Sequence, residues 1–198
     1  MKRWLPIALI ALVVLLGISS AGTYNSLVRL DQGVRSQWGQ VQNVYQRRAD
    51  LVPNLVATVK GAAAFEKDTY TAVAIARAQV GQVAASTAEA PDDKESMRRY
   101  QQAQDGLSTA LSRLLVVAER YPDLKATAAF RDLQAQLEGT ENRIAVERMR
   151  FNDAAQAFNT RRQSFPTVLI AGLFGGRFAE KSYFEATATA ATPPQVKF

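Results

Sequence analysis

Residues 41–59 read VQNVYQRRADLVPNLVATV, and their apolar positions follow a seven-residue repeat. Val41, position 48 and Leu55 lie seven residues apart, and an apolar residue follows four positions after each of them. Such repeats place apolar side chains along one side of a helix, at the 3.5-residue spacing typical of helices packed on helices. The pattern extends back to Leu27 and forward to Ala62, so it predicts a long helix with a continuous apolar seam.

Three residues within this stretch interrupt the pattern. Arg48 puts a charge on the apolar seam, Arg47 adds a second charge beside it, and Pro53 lies in mid-helix. A proline there frees the carbonyl four residues back, at Ala49, and predicts a kink in the helix. Asn54, directly after the proline, is the candidate to donate a hydrogen bond to that carbonyl.

Three long helices are expected in the body of the chain. The first runs from about Tyr24 to about Val83, the second from about Asp92 to Arg120, and the third from about Leu124 to about Gln163. No segment alternates apolar and polar residues over a length useful for a strand. We therefore expect an all-α protein, an elongated antiparallel bundle of three to four helices with coiled-coil seams, whose first helix is kinked near Pro53.

The amino-terminal segment, residues 1–22, is strongly apolar. From Trp4 to Val28 the sequence carries no charge, and a helix over residues 4–21 would be about 27 Å long, close to the hydrocarbon thickness of about 30 Å. We expect a single transmembrane helix as anchor, with its amino terminus in the cytoplasm because Lys2 and Arg3 precede it. A cleaved signal peptide is the competing interpretation, since small residues follow the apolar run.

The rest of the chain divides into a helical body and a carboxyl-terminal segment. We assign residues 23–165 to the bundle and residues 166–198 to an apolar and aromatic segment that ends in a flexible tail. The stretch Val168–Phe174 is too short to cross a bilayer. It is expected to be buried in a contact within the chain or between subunits, with a position on the membrane surface as the alternative.

A second arginine, Arg148, falls on an apolar seam in the third long helix. A lone buried guanidinium would cost several kcal/mol, so a carboxylate should meet both Arg48 and Arg148. We expect an ion-pair network between the first and third long helices near the proline, unless both arginines extend to water. Such a network would set the register between helices, or would bind a small anion together with Arg47. The candidate carboxylates are Asp50, Glu141, Glu147 and Asp153.

The composition removes most catalytic chemistry. The chain has no His and no Cys, so it has no imidazole base for a nucleophile and no thiolate metal site. The acidic group Asp92, Asp93 and Glu95 lies at a helix start, where it complements the helix dipole without a metal. The formal charge of +6 is spread along the chain among acidic residues, unlike a nucleic-acid-binding face. We expect no catalytic residues, cofactor, metal or nucleic-acid partner.

Several motifs, in their order and spacing, resemble the LemA family of bacterial membrane-anchored proteins. They are YNSLV at 24–28, RRADLVPNLVATVKG at 47–61, YPDLKA at 121–126, LEGTENRI at 137–144 and YFEA at 183–186. The resemblance implies an amino-terminal membrane helix and an all-α bundle, with no established enzymatic activity and no known ligand. Some relatives carry a lipid-modified cysteine near the end of the hydrophobic segment, whereas this chain has Ala21 and no Cys.

Together these features favour a non-enzymatic, membrane-anchored scaffold or interaction protein of the bacterial cell envelope. We expect it in the cytoplasmic (inner) membrane as a single-pass protein with a periplasmic body. Helices of unequal length cannot cover each other completely, so we expect a homo-oligomer or docking to another envelope membrane protein. The alternative is an extracytoplasmic sensory or ligand-binding module that recognises a small anion at the arginine cluster.

Overall fold

A computed structural model describes residues 4–62, 67–87, 89–91 and 93–185. Within these ranges the chain is all-α, as predicted, and contains no strand. Four helices are long, two are short, and a 3-10 turn follows the last. Their bounds are α1 Trp4–Ala62, α2 Lys67–Ser86, α3 Lys94–Ala118, α4 Pro122–Ala126, α5 Ala128–Gln163 and α6 Thr167–Leu173, with the 3-10 turn at Gly175–Phe178.

The four long helices run alternately up and down. Helices α1 and α3 are parallel to each other, and α2 and α5 run in the opposite direction, so the order along the chain is up-down-up-down. Helix α1 packs mainly against α5, and α2 packs mainly against α3. The direction of α2 follows from the contacts of Trp38 with Thr87 and of Ala49 with Arg77. The direction of α3 follows from Trp38 with Tyr100 and Arg48 with Ser108. The direction of α5 follows from Gln37 with Glu147 and Arg48 with Glu141.

The predicted seams are the inner faces of α1 and α5. Their apolar members are buried because a stripe repeating every 3.5 residues can be covered along its whole length by a neighbouring helix. Position 48 is buried with them, whereas Arg148 remains half-exposed. Seam residues exposed by 5% or less include Leu27, Val34, Trp38, Val41, Tyr45, Val52, Leu55 and Val59 on α1, and Leu137, Ile144, Phe151, Ala155 and Phe158 on α5.

The prediction of one helix from Tyr24 to Val83 was wrong at its carboxyl-terminal end. Helix α1 ends at Ala62, and α2 begins at Lys67 and runs back beside it. The apolar residues of α2 join the core cluster formed by the end of α1, so a reversal lets two stripes of the same chain bury each other. Pro53 lies inside α1 without ending it.

The predicted transmembrane helix is not supported by the structure. Among the residues that the structure describes, no helix is long and apolar enough to cross a membrane. Helix α1 nevertheless begins at Trp4, ahead of the bundle. Six large apolar side chains in its first part are 54–67% exposed: Ile7, Leu9, Ile10, Val14, Leu15 and Ile18.

The carboxyl-terminal segment folds back onto the bundle. Helix α6 packs on α1 and α5 and buries Thr167, Ile170 and Ala171. After the 3-10 turn, residues 179–185 continue without helical structure along α5 and α3; we call them the C-terminal strap. The flexible tail predicted for the last dozen residues lies outside the described part of the chain.

Candidate functional site

Arg48 lies between two apolar clusters of the bundle. One cluster surrounds Val52 and Leu55, and the other surrounds Trp38 and Tyr45. The arginine is 1% exposed, although it occupies the seam position between them. Its guanidinium therefore forms a polar layer across an otherwise apolar core.

The buried guanidinium joins three helices. Its Nη1 donates to Ser108 Oγ at 2.6 Å and to Glu141 Oε1 at 2.9 Å. Its Nη2 donates to the Gln104 carbonyl at 3.1 Å and to Gln104 Oε1 at 2.5 Å. Ser108 and Gln104 belong to α3 and Glu141 belongs to α5, so one side chain of α1 fixes both neighbours. We call these four residues the Arg48 network.

The network is mostly, but not fully, satisfied. Arg48 Nε is buried without a hydrogen-bond partner, and the guanidinium carbon lies 5.1 Å from the centre of the Tyr45 ring. The Glu141 side chain is 40% exposed, so the ion pair keeps water on one side. This partial exposure lowers the desolvation cost of the carboxylate, which a fully buried pair would carry.

Two tyrosines beside the network remain neutral. Burial raises the pKa of Tyr45, with Arg148 and Arg48 opposing the shift, and burial likewise raises the pKa of Tyr100. The Tyr45 hydroxyl is buried without a hydrogen-bond partner. The two phenols therefore supply no phenolate base at neutral pH. Across the described ranges, no group of three or more carboxylates lies close enough to hold a metal ion.

Pro53 has no backbone N–H and so frees the Ala49 carbonyl, but the hydrogen-bond donor to this carbonyl is not Asn54, as predicted. Arg77 Nε of α2 donates to this carbonyl at 3.2 Å. Asn54 is exposed, and its own carbonyl accepts from Thr58 Oγ1 at 2.9 Å. Helix α2 runs directly beside this turn of α1 and supplies a longer side chain, so the proline becomes an attachment point between two helices.

Three of the predicted site residues lie together on the surface. Arg47, Asp50 and Asn54 line an open groove between α1 and α5, where Arg143 joins them. Asp50 accepts from Gln46 Nε2 at 2.7 Å and does not reach Arg48. Arg47 thus faces the groove and Arg48 faces the core, because adjacent helix positions face different sides.

Arg148 does not join the predicted ion-pair network. Its Nη2 donates to the Glu185 carbonyl at 3.2 Å, and its guanidinium carbon lies 4.7 Å from the centre of the Phe184 ring. Glu147, a predicted partner, instead accepts from Gln37 and Arg150. Because Arg148 is half-exposed, it needs no carboxylate, and it holds the C-terminal strap.

The C-terminal strap is bound by side-chain amides. Three carboxamides each donate to the carbonyl and accept from the N–H of one strap residue, as a neighbouring β-strand would, at donor–acceptor distances of 2.8–3.2 Å. This arrangement satisfies backbone groups that lie away from any helix. The pairs are Asn159 with Lys181, Asn152 with Phe184, and Gln101 with Glu185.

Two side chains of the strap enter the bundle. Lys181 is 5% exposed, and its Nζ lies 3.1 Å from Asp31 Oδ1 of α1. Phe184 packs on Trp38 and Phe151, with ring centroids 6.1 Å and 5.5 Å away. These contacts attach the strap to α1 and α5 with charge and apolar area.

The strap and the neutral partners of Arg48 were not predicted from the sequence. One signal was available for the strap. Asn152 and Asn159 are seven residues apart, and each directly follows a phenylalanine of the seam. Polar residues at that spacing lie on one edge of the helix interface, where they can bind a neighbouring segment. Gln104 and Ser108 carry no comparable signal.

These features define a class of protein: an α-helical bundle with a buried arginine network and a C-terminal strap. The family model described as the LemA family matches residues 37–198, which include both features. The chain belongs to the LemA family, as the resemblance predicted.

Similar proteins include magnetosome proteins. Two proteins named MamQ from Paramagnetospirillum magneticum are each 25% identical over 186 residues, covering 86% of this chain and 67% of the relative. MamQ from Magnetospirillum gryphiswaldense is 24% identical over 191 residues, covering 87% of this chain and 70% of the relative. The similarity thus extends over most of the chain.

Proposed function

We propose that this protein is a non-enzymatic, membrane-associated helical scaffold of the bacterial cell envelope. The observation that carries the proposal is the exposed apolar first part of α1, represented by Ile10 and Leu15, each 64% exposed. Soluble surfaces rarely leave such a concentration of large apolar side chains uncovered. The uncharged sequence from Trp4 to Val28 supports a lipid environment for this part.

The interior of the body supports a structural role. Four hydrogen bonds to residues of the chain itself occupy the terminal nitrogens of Arg48. The chain also lacks His, the side chain most often used as a general base, and Cys, a strong nucleophile near neutral pH. The similar proteins are named for a structure, the magnetosome, and not for a reaction. We infer that the network fixes helix register and binds no substrate.

Membrane association can be tested with charges placed on α1. The full chain carrying Ile10→Asp and Leu15→Asp is expressed in a bacterium, and its partition between membrane and soluble fractions is measured. We expect the variant to move to the soluble fraction because a charge at this position costs about 2.5–3.5 kcal/mol in the membrane. Val116→Asp is the matched control, since Val116 is 66% exposed on the body of the bundle. A double variant that partitions like the unmodified chain would contradict the proposal.

We further propose that the protein assembles with itself or with another envelope protein. Native mass measured in detergent should exceed that of one 21.7 kDa chain after crosslinking. A single mass near that value would remove the assembly.

One observation favours the alternative function of anion recognition. Arg47 and Arg143 line the same open groove, although Asp50 faces it as well. Titration calorimetry with inorganic phosphate should then show heat that is lost in Arg47→Gln and retained in Arg113→Gln, a change outside the groove. No heat from the unmodified chain would eliminate this function.

A further inference from the structure

Helix α6 presents apolar side chains on two sides. Its inner side is buried against α1 and α5, as at Ile170. Its outer side is open: Leu173 is 82% exposed, Leu169 is 61% exposed, and Phe165 just before the helix is 81% exposed. Val168 and Phe174 add to this surface at 44% and 49%. We call these five outer residues the α6 outer face.

The α6 outer face lies where α1 leaves the bundle. The ring centroid of Phe174 lies 4.9 Å from that of Tyr24 on α1, and the ring centroid of Phe178 lies 5.5 Å from that of the same tyrosine. Ile18, the last large exposed apolar residue of α1, lies six positions earlier, or about 9 Å along the helix axis. Two exposed apolar surfaces therefore occur at the same end of the molecule.

Arginine side chains are concentrated around this end. Arg177 lies with its guanidinium carbon 5.7 Å from the centre of the Tyr24 ring, and Arg162 Nε donates to the Phe178 carbonyl at 2.6 Å. Arg29 is exposed on the neighbouring turn of α1. The acidic groups here are Asp31, which pairs with Arg35 and Lys181, and the exposed Glu180. Arg161 also ends α5 at this level.

Basic residues around an apolar surface match the interface of an anionic bilayer. Apolar side chains enter the boundary between headgroups and acyl chains, while arginines attract the anionic headgroups at about 1 kcal/mol each. Seven helical residues span only about 10 Å, so α6 can supplement an attachment but cannot replace one.

We propose that the α6 outer face rests in the headgroup region of an anionic bilayer and holds the bundle at a fixed orientation to the membrane. This inference rests on the proposed membrane association of α1. Lipid is the occupant we assign, because the surface continues from the exposed part of α1 and is surrounded by cations. A second protein copy would need neither feature.

The absence of cysteine makes a direct test available. Single-cysteine variants Leu173→Cys, Leu15→Cys and Val116→Cys of the full chain are labelled with an environment-sensitive fluorophore and reconstituted into phosphatidylcholine vesicles containing phosphatidylglycerol. The Leu173 label should show blue-shifted emission and quenching by brominated lipids, and the Val116 label should show neither. Leu15 reports the attachment of α1. Arg29→Gln with Arg177→Gln should reduce the Leu173 signal, as should pure phosphatidylcholine vesicles.

The outcomes separate the two proposals. A water-like Leu173 label beside a lipid-embedded Leu15 label would overturn the role of α6 and leave the proposed function intact. Water-like labels at both positions, without flotation of the protein with vesicles, would overturn both. Shielding of Leu173 that grows with protein density and ignores brominated lipid would assign the face to a second copy, against the proposal.

Discussion

The Arg48 network makes a quantitative prediction about stability. Arg48→Ala removes four hydrogen bonds, one of which is the ion pair with Glu141, and leaves a space between the two apolar clusters. Breaking a buried ion pair costs about 3–5 kcal/mol, because the remaining partner loses its compensation. Glu141 is 40% exposed and can recover water, so we expect a loss near the lower limit, about 3 kcal/mol. Buried Gln104, 2% exposed, cannot recover water in the same way.

Two further variants separate charge from volume. Arg48→Met keeps most of the side-chain volume, so it should cost about 1–2 kcal/mol, which is less than Arg48→Ala. This cost comes from Gln104, which loses its hydrogen-bond partner. Arg47→Ala is the matched control, because Arg47 is the exposed neighbour on the same helix turn. Exposed substitutions usually change stability by less than about 0.5 kcal/mol.

Urea unfolding of the full chain in detergent, followed by circular dichroism, measures these differences. For a chain of this length a loss of about 3 kcal/mol corresponds to about 6–12 °C in the midpoint of thermal unfolding. The slope of the free energy of unfolding against urea concentration should be unchanged, which would show that the folded state is the same. If Arg48→Ala were no more destabilising than Arg47→Ala, the network would contribute nothing and our account of the bundle would be refuted.

Three more predictions follow from single contacts. Pro53→Ala should raise the free energy of unfolding by about 1–2 kcal/mol. This is less than the ~3 kcal/mol typical of an interior proline, since Arg77 already bonds the freed carbonyl. In a double-mutant cycle, Arg77→Ala should then cost less stability in the Pro53→Ala background than in the unmodified chain. Tyr45→Phe should stabilise by about 1 kcal/mol in urea unfolding, because it removes a buried hydroxyl without a partner; a loss of stability would contradict this. The raised pKa values of Tyr45 and Tyr100 keep both phenols protonated in the folded state where the unfolded chain ionises. Their contribution to stability should therefore be constant below about pH 10 and fall above it, and the fall should be less steep in Tyr45→Phe. An equal slope in that variant, measured by unfolding between about pH 9 and 11, would assign the effect elsewhere.

The apolar seams were predictable because burial imposes their spacing directly. Each apolar position from Leu27 to Val59 that the repeat marks is buried in the bundle. The reversal after Ala62 was not predictable from the same pattern. A repeat of seven describes one face of a helix but not its direction, so a continuing helix and a helix that folds back share one pattern. The sequence therefore indicates the helices more reliably than their connections.

The candidate site was predictable only where charge conflicted with burial. Arg48 on an apolar seam required a partner, and Glu141 was among the four carboxylates considered. Gln104 and Ser108 violate no pattern, so nothing in the sequence marked them. Arg148 was misjudged because a seam position at the edge of the bundle is only half covered. Burial at one helix position depends on which other helices reach it, and a single helix pattern cannot show that.

The polar layer has a consequence for the bundle as a whole. A repeat of seven lets two helices slide past each other by one repeat, about 10 Å, and still match apolar residues. A slip between α1 and α5 would separate Arg48 from Glu141 and bring Gln134 or Arg148 to the position of that carboxylate, so the buried charge would lose its ion pair at a cost of several kcal/mol. The strap adds a second constraint, because Asn152 and Asn159 bind defined strap residues. An apolar seam alone would not provide this fixed register.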